Sequence, residues 1–555
     1  MIEHIRDIGN YVREKYPKES VISGMVNTIE SKDMKYILLI NVLEKEIQYT
    51  MKDFEKDIVY DALFYQSGRG SEGGGIRLDY YADLNPKGGF KGREKLKKVC
   101  EFCEVGCRYE EIREWIEEYL KEKDKNTFAI IQVNGRMPRE LFKDKFQKKM
   151  HDMVYKGIPG QHICHLCGKK GQGYNTVAYT FYTNDKGVYS NVGHKGKSGF
   201  IICETCLNDI IVGKKYVELN LTTYWRSIKK KVMFLPHYYD EVIAEIYEKS
   251  YIKEKMGEEE KIRTIGLNEE ELVEEVGKTN VVTDMIFYEE SSTNKAITID
   301  HAVQSVLPSR FSFIGKIFKE YEIKLYIILI YSTAVKVTSD SVETTDKEKM
   351  RLLDSIFTGR RIDRNLFFKR VMDVYQHYFL KDEHRKYACM KNINRTYNFL
   401  CRCNCIEKGW NVMEDYKDYT ELFKGNTEYF DTNEKKAWFI LGKAYSTMVY
   451  LMKGNKSKDN EEVNHNERTS LEKNFFFSRK FDYKDFIYFS NLLTDKAIKY
   501  KVDKVYFKKM ICEAKDYMAK REGKLSFDEA KYLFFWGVDA YFKVEKNENQ
   551  ESEDE

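Results

Sequence analysis

Four cysteines carry the strongest chemical signal in the sequence. They form two pairs, Cys164-x2-Cys167 and Cys203-x2-Cys206, and each pair can present two thiolates on a tight turn. Four thiolates can surround one tetrahedral zinc ion. Because a closed site of this kind leaves no position for water, we predict a structural zinc and not a catalytic one. Four free cysteines are the alternative. Three nearby histidines could replace one thiolate: His162, His165 and His194.

The insert at residues 168–202 is basic and contains several glycines. Glycine lets a backbone approach a phosphate closely, and lysine supplies positive charge. We therefore predict that the insert contacts nucleic acid, with a solvated loop as the alternative. The candidate contacts are three lysines: Lys186, Lys195 and Lys197.

A second glycine-rich segment, residues 68–73, has the pattern GxGxxG. A dinucleotide-binding site requires a helix directly after this pattern. Residues 74–81 look extended instead, and we reject that interpretation. We predict a loop that approaches DNA, with an ordinary flexible loop as the alternative. Its candidate contacts are Lys87, Lys91 and Arg93.

Two further stretches combine basic and aromatic residues. One covers residues 224–231, and the other contains Arg360, Arg361, Phe367 and Phe368. Stacking rings and phosphate-seeking cations suit single-stranded nucleic acid. An amphipathic helix with a solvated face explains the same pattern. From the second stretch we predict Arg360 and Arg361 as nucleic-acid contacts.

Two other cysteine clusters could hold part of an iron–sulfur cluster. They are Cys100, Cys103 and Cys107, and Cys401, Cys403 and Cys405. Each cluster lacks an obvious fourth ligand, so we favour reduced thiols for both. A metal shared between the two clusters is the other possibility.

The sequence contains no convincing hydrolytic pattern. GxSxG, HExxH and GxxxxGK[ST] do not occur, and the single His-Asp dipeptide, His151-Asp152, needs further ligands to hold a catalytic ion. The only histidine before it is His4, in the opening helix. Carboxylates are plentiful, but no pair of them stands out as catalytic.

The hydrophobic pattern predicts an α+β fold. Runs rich in Ile and Val at residues 36–42 and 128–133 indicate strands. All six prolines lie in the first 308 residues, and apolar residues from about 350 to 545 recur at helical spacing, which predicts a helical bundle. The apolar run at residues 325–335 is expected to form a buried strand.

These features divide the chain into four parts. Residues 1–160 form an N-terminal α/β region with the glycine-rich basic loop, and residues 161–212 form the zinc-binding insert. Residues 213–345 complete the N-terminal body, and residues 346–555 form an all-helical bundle with an acidic tail. Three polar stretches are expected to be loops or linkers: residues 257–277, 338–349 and 453–474.

Composition excludes several classes of protein. Hydrophobic residues make up 42% of the 555 residues and charged residues 33%, which excludes a wholly disordered or fibrous chain. No apolar run approaches the roughly 20 residues of a membrane-spanning helix, and no signal peptide is visible. Twelve clustered cysteines favour metal binding in a reducing cytoplasm. The net charge of +4 gives weak support for a polyanionic partner.

Several short motifs occur in an order that is similar to a known family. After the helical opening and the cysteine pairs, these are residues 182–187 (YTNDKG), 306–310 (VLPSR), 527–530 (FDEA) and 534–537 (FFWG). Over residues 1–543 this order resembles the Csh-type large subunit of the type I-B CRISPR effector complex, Cascade. The family tends to have proline where this chain has Gly187 and tyrosine where it has Val538, which affects loop geometry and bundle packing.

The resemblance implies a subunit without enzymatic activity. In such a complex a guide RNA reads the target by base pairing. The large subunit contacts the duplex motif beside the target, helps open the strands and recruits a separate helicase-nuclease. The implied partners are the guide RNA, target double-stranded DNA, the displaced single strand, and the backbone and small subunits. The helical bundle would hold the displaced strand.

Other interpretations of the sequence remain open. A free-standing zinc-ribbon enzyme that processes nucleic acid is one alternative, and a structural zinc protein that only bridges partners is another. In this subtype the small subunit can also arise by internal initiation. Residues 407–409 can be encoded by a purine run at ribosome-binding distance from Met413, so we predict a short, all-helical product that begins at Met413.

Overall fold

The computed structural model describes most of the chain as two compact units. Unit 1 contains Met1–Tyr224, Lys230–Gly266 and Val281–Ser305, and unit 2 contains Trp225–Lys229, Leu267–Asn280 and Val306–Glu555. The structure describes residues 1–15, 20–27, 29, 34–55, 57–65, 73–81, 84–85, 89–90, 92–122, 126–155, 157–174, 200–252, 269–290, 297–338, 341–381, 383–407, 409, 416–456, 476–523 and 525–542.

Unit 1 combines two four-stranded sheets with surrounding helices. Its described elements are α1 (Ile2–Lys15), α2 (Ser20–Met25), β1 (Tyr36–Val42), β2 (Ile47–Asp53), α3 (Ile58–Asp61), β3 (Gly75–Arg77), α4 (Leu78–Tyr81), β4 (Leu84–Asn85), β5 (Gly89–Phe90), α5 (Arg93–Phe102), α6 (Tyr109–Glu122), β6 (Thr127–Val133), α7 (Pro138–Val154), β7 (Gly157–Ile163), β8 (Lys170–Tyr174), α8 (Glu204–Asn220), β9 (Thr222–Trp225), β10 (Lys230–Pro236), α9 (Glu241–Ile252), β11 (Thr283–Glu290) and β12 (Ile297–Val306).

The first sheet has the strand order β2-β1-β6-β3. Strands β1 and β6 form its parallel central pair, with Tyr36 opposite Thr127 and Val42 opposite Val133. Both strands are nearly continuous apolar runs, because a central parallel strand is buried on both faces. Antiparallel β2 and β3 flank this pair. The two strands predicted from the sequence are confirmed.

The second sheet has the strand order β12-β11-β10-β9. Its antiparallel pair β10 and β11 is almost entirely buried, with Val232 opposite Phe287. Helix α1 packs along α8 and buries Ile5, Ile8 and Val12. The predicted opening helix is therefore part of the folded core of unit 1.

Unit 2 is mainly helical. Its described elements are α10 (Glu269–Gly277), α11 (Pro308–Tyr321), α12 (Leu325–Thr333), β13 (Ala334–Val337), β14 (Val342–Thr344), α13 (Asp346–Thr358), α14 (Arg364–Lys381), α15 (Glu383–Arg402), α16 (Tyr419–Gly425), α17 (Asn433–Lys456), α18 (Tyr483–Lys499), α19 (Val505–Ala519) and α20 (Phe527–Asp539). These helices confirm the predicted bundle and, with the sheets of unit 1, the predicted α+β fold.

Aromatic side chains fill the core of unit 2. Trp438 of α17 meets Phe489 of α18 at 6.2 Å and Phe534 of α20 at 6.5 Å between ring centroids. Phe476 packs against the same two rings at 5.2 and 5.0 Å. Edge-to-face and tilted contacts of this kind are favourable beyond simple area burial. The helical spacing of the sequence therefore marks a shared, largely aromatic core.

The apolar run at residues 325–335 was expected to form a strand, and this prediction is wrong. The run forms helix α12 and continues into β13. Leu325, Ile328 and Leu329 are buried, and the helix carries no charged residue. A short segment that is apolar on all sides has no periodicity to separate a buried helix from a buried strand.

The prediction of a linker at residues 338–349 is also wrong. It contains β14 and the start of α13, and the Thr345 side chain accepts a hydrogen bond from the Glu348 amide. Residues 269–277 of the first polar stretch form α10. Residues 253–268 and 457–475 lie outside the described residues. The two units divide near residue 305, because α11 and α12 belong to unit 2.

The spacing of Ser526 and Glu529 matches a capping box, and helix α20 begins directly after Ser526. The Ser526 hydroxyl accepts a hydrogen bond from the Glu529 amide at 3.3 Å. The Glu529 carboxylate is buried and accepts a hydrogen bond from Arg364 at 2.6 Å. The second half of the capping box is thus replaced by a buried ion pair.

None of the described helices is long and apolar enough to cross a membrane. The apolar α12 has nine residues, and a spanning helix needs about 20. The 24-residue α17 carries Glu434, Lys435 and Lys436 near its start.

Candidate metal centre and nucleic-acid interface

The first cysteine pair lies on the turn of the β7–β8 hairpin. The Cys164 amide donates to the Lys169 carbonyl, and the Gly168 amide donates to the Cys164 carbonyl, both at 2.9 Å. Gly168 has a φ of +72°, a left-handed conformation that favours glycine. This tight turn places Cys167 beside Cys164.

The second cysteine pair lies at the start of α8. Cys203 directly precedes the helix, and Cys206 lies in its first turn. Ile202 and Tyr174 form a β-bridge, with amide-to-carbonyl distances of 2.8 and 3.0 Å. The insert therefore leaves β8 at Tyr174 and returns beside the same residue. This bridge brings the β7–β8 hairpin and the start of α8 together, and with them the two cysteine pairs.

The four sulfur atoms form one cluster. They lie within 4.8 Å of one another, and the Cys167 and Cys203 sulfurs are 3.7 Å apart. Burial raises the pKa of the Cys164 thiol, but the backbone amides of Cys167, Cys203 and Leu166 lower it by more, to about 7. The lowered pKa favours the metal-binding thiolate at Cys164, whereas burial raises the pKa of Cys203 and Cys206. Together with Cys206, these cysteines could hold one metal ion.

The nearby histidines have other partners. His162 Nε2 lies 3.0 Å from the Pro159 carbonyl oxygen. His165 Nδ1 lies 3.3 Å from the Ile201 amide nitrogen. His194 lies outside the described residues. The cysteines, and not these two histidines, form the cluster.

Helix α1 supports both cysteine pairs. The Arg6 guanidinium donates to the Leu166 carbonyl in the first turn at 2.9 Å. Arg13 forms an ion pair with Asp209 of α8 at 2.5 Å. Two side chains about two helical turns apart on α1 therefore hold the hairpin and the helix that carry the four cysteines.

The other two cysteine clusters are mostly buried thiols. Burial raises the pKa of Cys100 to about 12 and that of Cys405 to about 11, which favours the protonated form. The Cys405 thiol also lies 3.3 Å from the Ser355 carbonyl. Neither cluster is among the metal-ligand groups that the described residues contain. These observations favour structural thiols over an iron–sulfur cluster.

The His151-Asp152 dipeptide lies on exposed helix surface. The His151 ring stacks on Tyr155 with 4.4 Å between centroids, and its Nδ1 is 3.9 Å from the Asp152 carboxylate. The metal-ligand groups formed by the described residues do not include it. Its position fits an ordinary surface pair.

The glycine-rich segment is described only at its end. Residues 66–72 lie outside the described residues, and residues 74–81 are extended only at β3 before α4 begins. A Cβ atom on Gly75 would lie 2.4 Å from the Phe128 ring. This glycine therefore serves close packing in the first sheet.

Arg93 is the one predicted loop contact that the structure describes. It begins α5 and donates to the Glu117 carboxylate at 2.8 and 3.3 Å. Its side chain is 39% exposed. Contact with a phosphate would therefore have to share or replace this ion pair. The other predicted loop contacts lie outside the described residues: Lys87, Lys91, Lys186, Lys195 and Lys197.

Arg360 and Arg361 are strongly exposed, as a phosphate contact requires. Arg360 pairs with Asp354 at 2.6 Å, and Arg361 pairs with Glu407. The stacking partners proposed beside them are wrong, because Phe367 and Phe368 are fully buried on α14. The two phenylalanines lie on the apolar face of this amphipathic helix.

The basic stretch at residues 224–231 is also largely structural. Lys230 is only 4% exposed and lies 3.1 Å from the Asp300 carboxylate. Lys231 pairs with Glu290 at 2.6 Å, and Trp225 is buried. The nucleic-acid interpretation is therefore wrong for Trp225 and Lys230.

Sequence reasoning missed a set of exposed tyrosines and cations on three neighbouring helices of unit 2. Helices α17, α18 and α19 adjoin one another and carry four exposed tyrosines: Tyr450, Tyr483, Tyr488 and Tyr506. Exposed cations accompany them: Arg479, Lys480, Lys484, Lys504, Lys508 and Lys509. We call these ten residues the tyrosine-lysine surface. The signal was available for Tyr450 and Tyr488, which fall out of phase with the buried positions of their helices.

Two segments of the chain match known protein-family models. Residues 161–306 match the central domain of CRISPR-associated protein TM1802, and residues 325–553 match its C-terminal domain. No curated protein matches the chain. The two matches cover more than half of the chain and confirm the family resemblance of the sequence motifs. The chain therefore belongs to the TM1802 family of CRISPR-associated proteins, the Cas8-like large subunits.

Proposed function

We propose that this protein is the large subunit of a type I-B, RNA-guided DNA-surveillance complex. It recognises the duplex motif beside the target, helps open the DNA and recruits a separate helicase-nuclease. Membership of the TM1802 family carries this proposal. In such complexes base pairing reads the target sequence, and the protein reads only a short flanking motif. The subunit itself breaks no bond.

The proposed metal is zinc, and its role is structural. Four cysteine ligands are typical of closed, tetrahedral zinc sites. The sulfur cluster joins the hairpin β7–β8 to α8 and so fixes the two ends of the insert. The ion would thereby hold the insert lysines Lys186, Lys195 and Lys197 on a rigid base.

Duplex contact is proposed for two sets of basic residues. One set comprises Lys87, Lys91 and Arg93, and the other comprises the three insert lysines. Each cation that neutralises a phosphate releases condensed counterions, so its contribution to affinity falls as salt rises. Arg93 would exchange its Glu117 partner for a phosphate.

The displaced strand is proposed to lie on unit 2. The tyrosine-lysine surface supports this assignment, because bases stack on aromatic rings and phosphates attract nearby cations. Arg479 lies 5.3 Å from the Tyr488 ring centroid, an arrangement that presents a cation and a ring together. Arg360 and Arg361 would add charge elsewhere on the same unit.

The proposal is tested in a complex reconstituted with guide RNA and the backbone and small subunits. The triple variant Lys87→Ala, Lys91→Ala, Arg93→Ala should bind target duplex more weakly and lower the salt slope by about two to three. The matched control removes three exposed lysines from other elements: Lys148, Lys424 and Lys520. Unchanged affinity and slope in the triple variant would remove this site assignment.

A second assay addresses the proposed lack of catalysis. The purified chain should leave DNA intact with divalent metal present, and the complete complex should support cleavage only with the helicase-nuclease. DNA cleavage by the chain alone, abolished by Cys164→Ser, would favour a zinc-dependent enzyme instead.

A further inference from the structure

Two histidines and one aspartate from distant parts of unit 1 meet in the structure. His4 lies in the first turn of α1, His237 directly follows β10, and Asp284 lies in β11. One nitrogen from each histidine and one carboxylate oxygen lie within 4.8 Å of one another. We call these three residues the His-His-Asp cluster. It shares no residue with the four-cysteine cluster.

Both histidines direct a ring nitrogen toward the same carboxylate. His237 Nε2 is 2.9 Å from Asp284 Oδ1, and His4 Nε2 is 4.0 Å from Asp284 Oδ2. The two rings stack with 4.1 Å between centroids and 12° between planes. Each histidine therefore faces a different oxygen of Asp284, and the two stacked rings lie on the same side of the carboxylate.

The carboxylate is buried and held in place. Asp284 is only 4% exposed, and the Ser305 amide donates to its Oδ1 at 2.7 Å. Ser305 has a φ of +55°, which is an unfavourable conformation for a residue with a side chain. A buried carboxylate needs compensation by a cation or by hydrogen bonds. The ion-pair partners that the described residues offer Asp284 are the two histidines.

We propose that His4, His237 and Asp284 bind one divalent transition-metal ion, with zinc as the preferred ion. Imidazole nitrogen and carboxylate oxygen are common zinc ligands, and three protein ligands leave one position for water. The ion would fasten α1 to β10 and β11. It would act as a second structural clamp on the helix that also supports the cysteine turn through Arg6.

The three ligand atoms lie within 4.8 Å of one another, close to the spacing that one ion requires. Nitrogen and oxygen ligands at about 2.0–2.2 Å from a tetrahedral zinc lie roughly 3.3–3.5 Å from one another. The observed distances are 2.9 Å to Oδ1 and 4.0 Å to Oδ2, so one ion held by all three residues would require the carboxylate and the rings to turn slightly. The competing arrangement is a hydrogen-bonded triad in which His237 donates directly to Asp284.

The first test counts metal ions on the full chain. The protein is stripped with a chelator, saturated with Zn²⁺, desalted and measured by elemental analysis. Wild type should retain two ions per chain, whereas His237→Ala and Asp284→Asn should retain one. The matched control is His151→Ala, which removes an exposed histidine beside an aspartate and should retain two.

The second test separates the two sites by their spectra. Co²⁺ at the cysteine cluster should give intense thiolate charge-transfer absorption, and Co²⁺ at the His-His-Asp cluster should add only weak ligand-field bands. His237→Ala should lose the weak bands alone. The second equivalent of Zn²⁺ should also slow hydrogen exchange of α1 amides in wild type.

These measurements remain decisive if a variant fails to fold, because wild-type stoichiometry and the wild-type Co²⁺ spectrum do not depend on any substitution. One ion per wild-type chain at saturation, with only thiolate-type absorption, would overturn the proposal and leave a hydrogen-bonded triad. This outcome would not affect the proposed DNA-surveillance function, which rests on other residues.

Discussion

Gly9 of α1 and Gly213 of α8 lie directly against each other. A Cβ atom on Gly213 would lie 1.9 Å from the Ile5 carbonyl oxygen and 3.0 Å from the Gly9 amide nitrogen. A Cβ atom on Gly9 would lie 1.7 Å from the Asp209 carbonyl oxygen. The two helices can approach this closely only because both positions lack a side chain. This contact sets how α1 meets the helix that carries Cys206.

Gly213→Ala should therefore destabilise unit 1. Alanine stabilises a helix interior by roughly 0.5–1 kcal/mol relative to glycine, but overpacking typically destabilises a protein by about 1–3 kcal/mol. The obstacle here is backbone, which cannot rotate away, so the cost should exceed the gain. Hydrogen exchange of α8 amides in urea measures the effect on unit 1 alone.

The control for this experiment is Gly171→Ala in β8. No atom lies within 4 Å of a Cβ atom at that position, so the substitution should leave α8 protection nearly unchanged. Equal protection in the Gly213 variant and wild type would contradict the close helix contact.

Lys215 should make the stability of unit 1 depend on pH. Its ammonium group donates to the Val26 carbonyl at 2.6 Å, and burial lowers the pKa of Lys215 from 10.5 to about 8. The unfolded chain binds this proton more tightly, so the unfolding free energy should rise between about pH 8 and 10.5. The shift corresponds to about 3 kcal/mol.

Lys215→Met should remove this dependence. At pH 7 the variant should be more stable by up to about 3 kcal/mol, less about 1 kcal/mol for the lost hydrogen bond. The difference from wild type should shrink at pH 9.5. Lys148→Met is the control, because Lys148 is exposed on α7. A stability difference that stays constant with pH would refute the explanation.

Glu529→Gln should strongly destabilise unit 2. Glu529 is buried and lies 2.6 Å from Arg364 and 3.8 Å from Lys435. Removing one member of a buried ion pair leaves uncompensated charge and typically costs about 3–5 kcal/mol. Urea unfolding followed by hydrogen exchange of α20 measures this loss.

The matched control for Glu529 is Arg360→Gln. It breaks the exposed ion pair with Asp354, and exposed pairs usually contribute less than about 1 kcal/mol. Similar losses in the two variants would mean that burial of Glu529 adds nothing to its importance.

The thiols should differ in reactivity according to burial. Cys107 and Cys512 are exposed, whereas burial raises the pKa of Cys389 and Cys401 to about 12. Because the thiolate is the reactive form, iodoacetamide at about pH 7.5 should modify the exposed pair first in the metal-loaded chain.

After a chelator removes the metal, iodoacetamide should also modify Cys167, which is exposed but belongs to the proposed zinc site. Peptide mass spectrometry measures each site. Early modification of Cys389, or no new modification after chelation, would be inconsistent with the buried thiols or with the metal site, respectively.

The sequence predicted the four-cysteine cluster well, because both cysteine pairs are local. A CxxC pair fixes two sulfurs through one turn, and only the meeting of the two pairs requires tertiary structure. Strands β1 and β6 were also predictable, because central parallel strands are continuous apolar runs. Helix α12 was not predictable, because a helix that is buried on all sides has no periodic pattern of apolar and polar residues.

The basic and aromatic patterns were harder to interpret. Phe368 and Lys230 have suitable chemistry for nucleic acid, but the fold buries both. Burial is a property of the tertiary structure, and neighbouring residues specify it only in part. The His-His-Asp cluster was invisible for a similar reason, since His4 and Asp284 are far apart in the chain.

Helix α1 creates a problem of timing during synthesis. It emerges from the ribosome first, but its packing partner α8 begins about 200 residues behind it, a delay on the order of ten to forty seconds at typical translation rates. Throughout that interval the apolar stripe of Ile5, Ile8 and Val12 has no partner. The nascent chain is therefore an expected client for ribosome-associated chaperones, and slowing translation should increase aggregation of this protein.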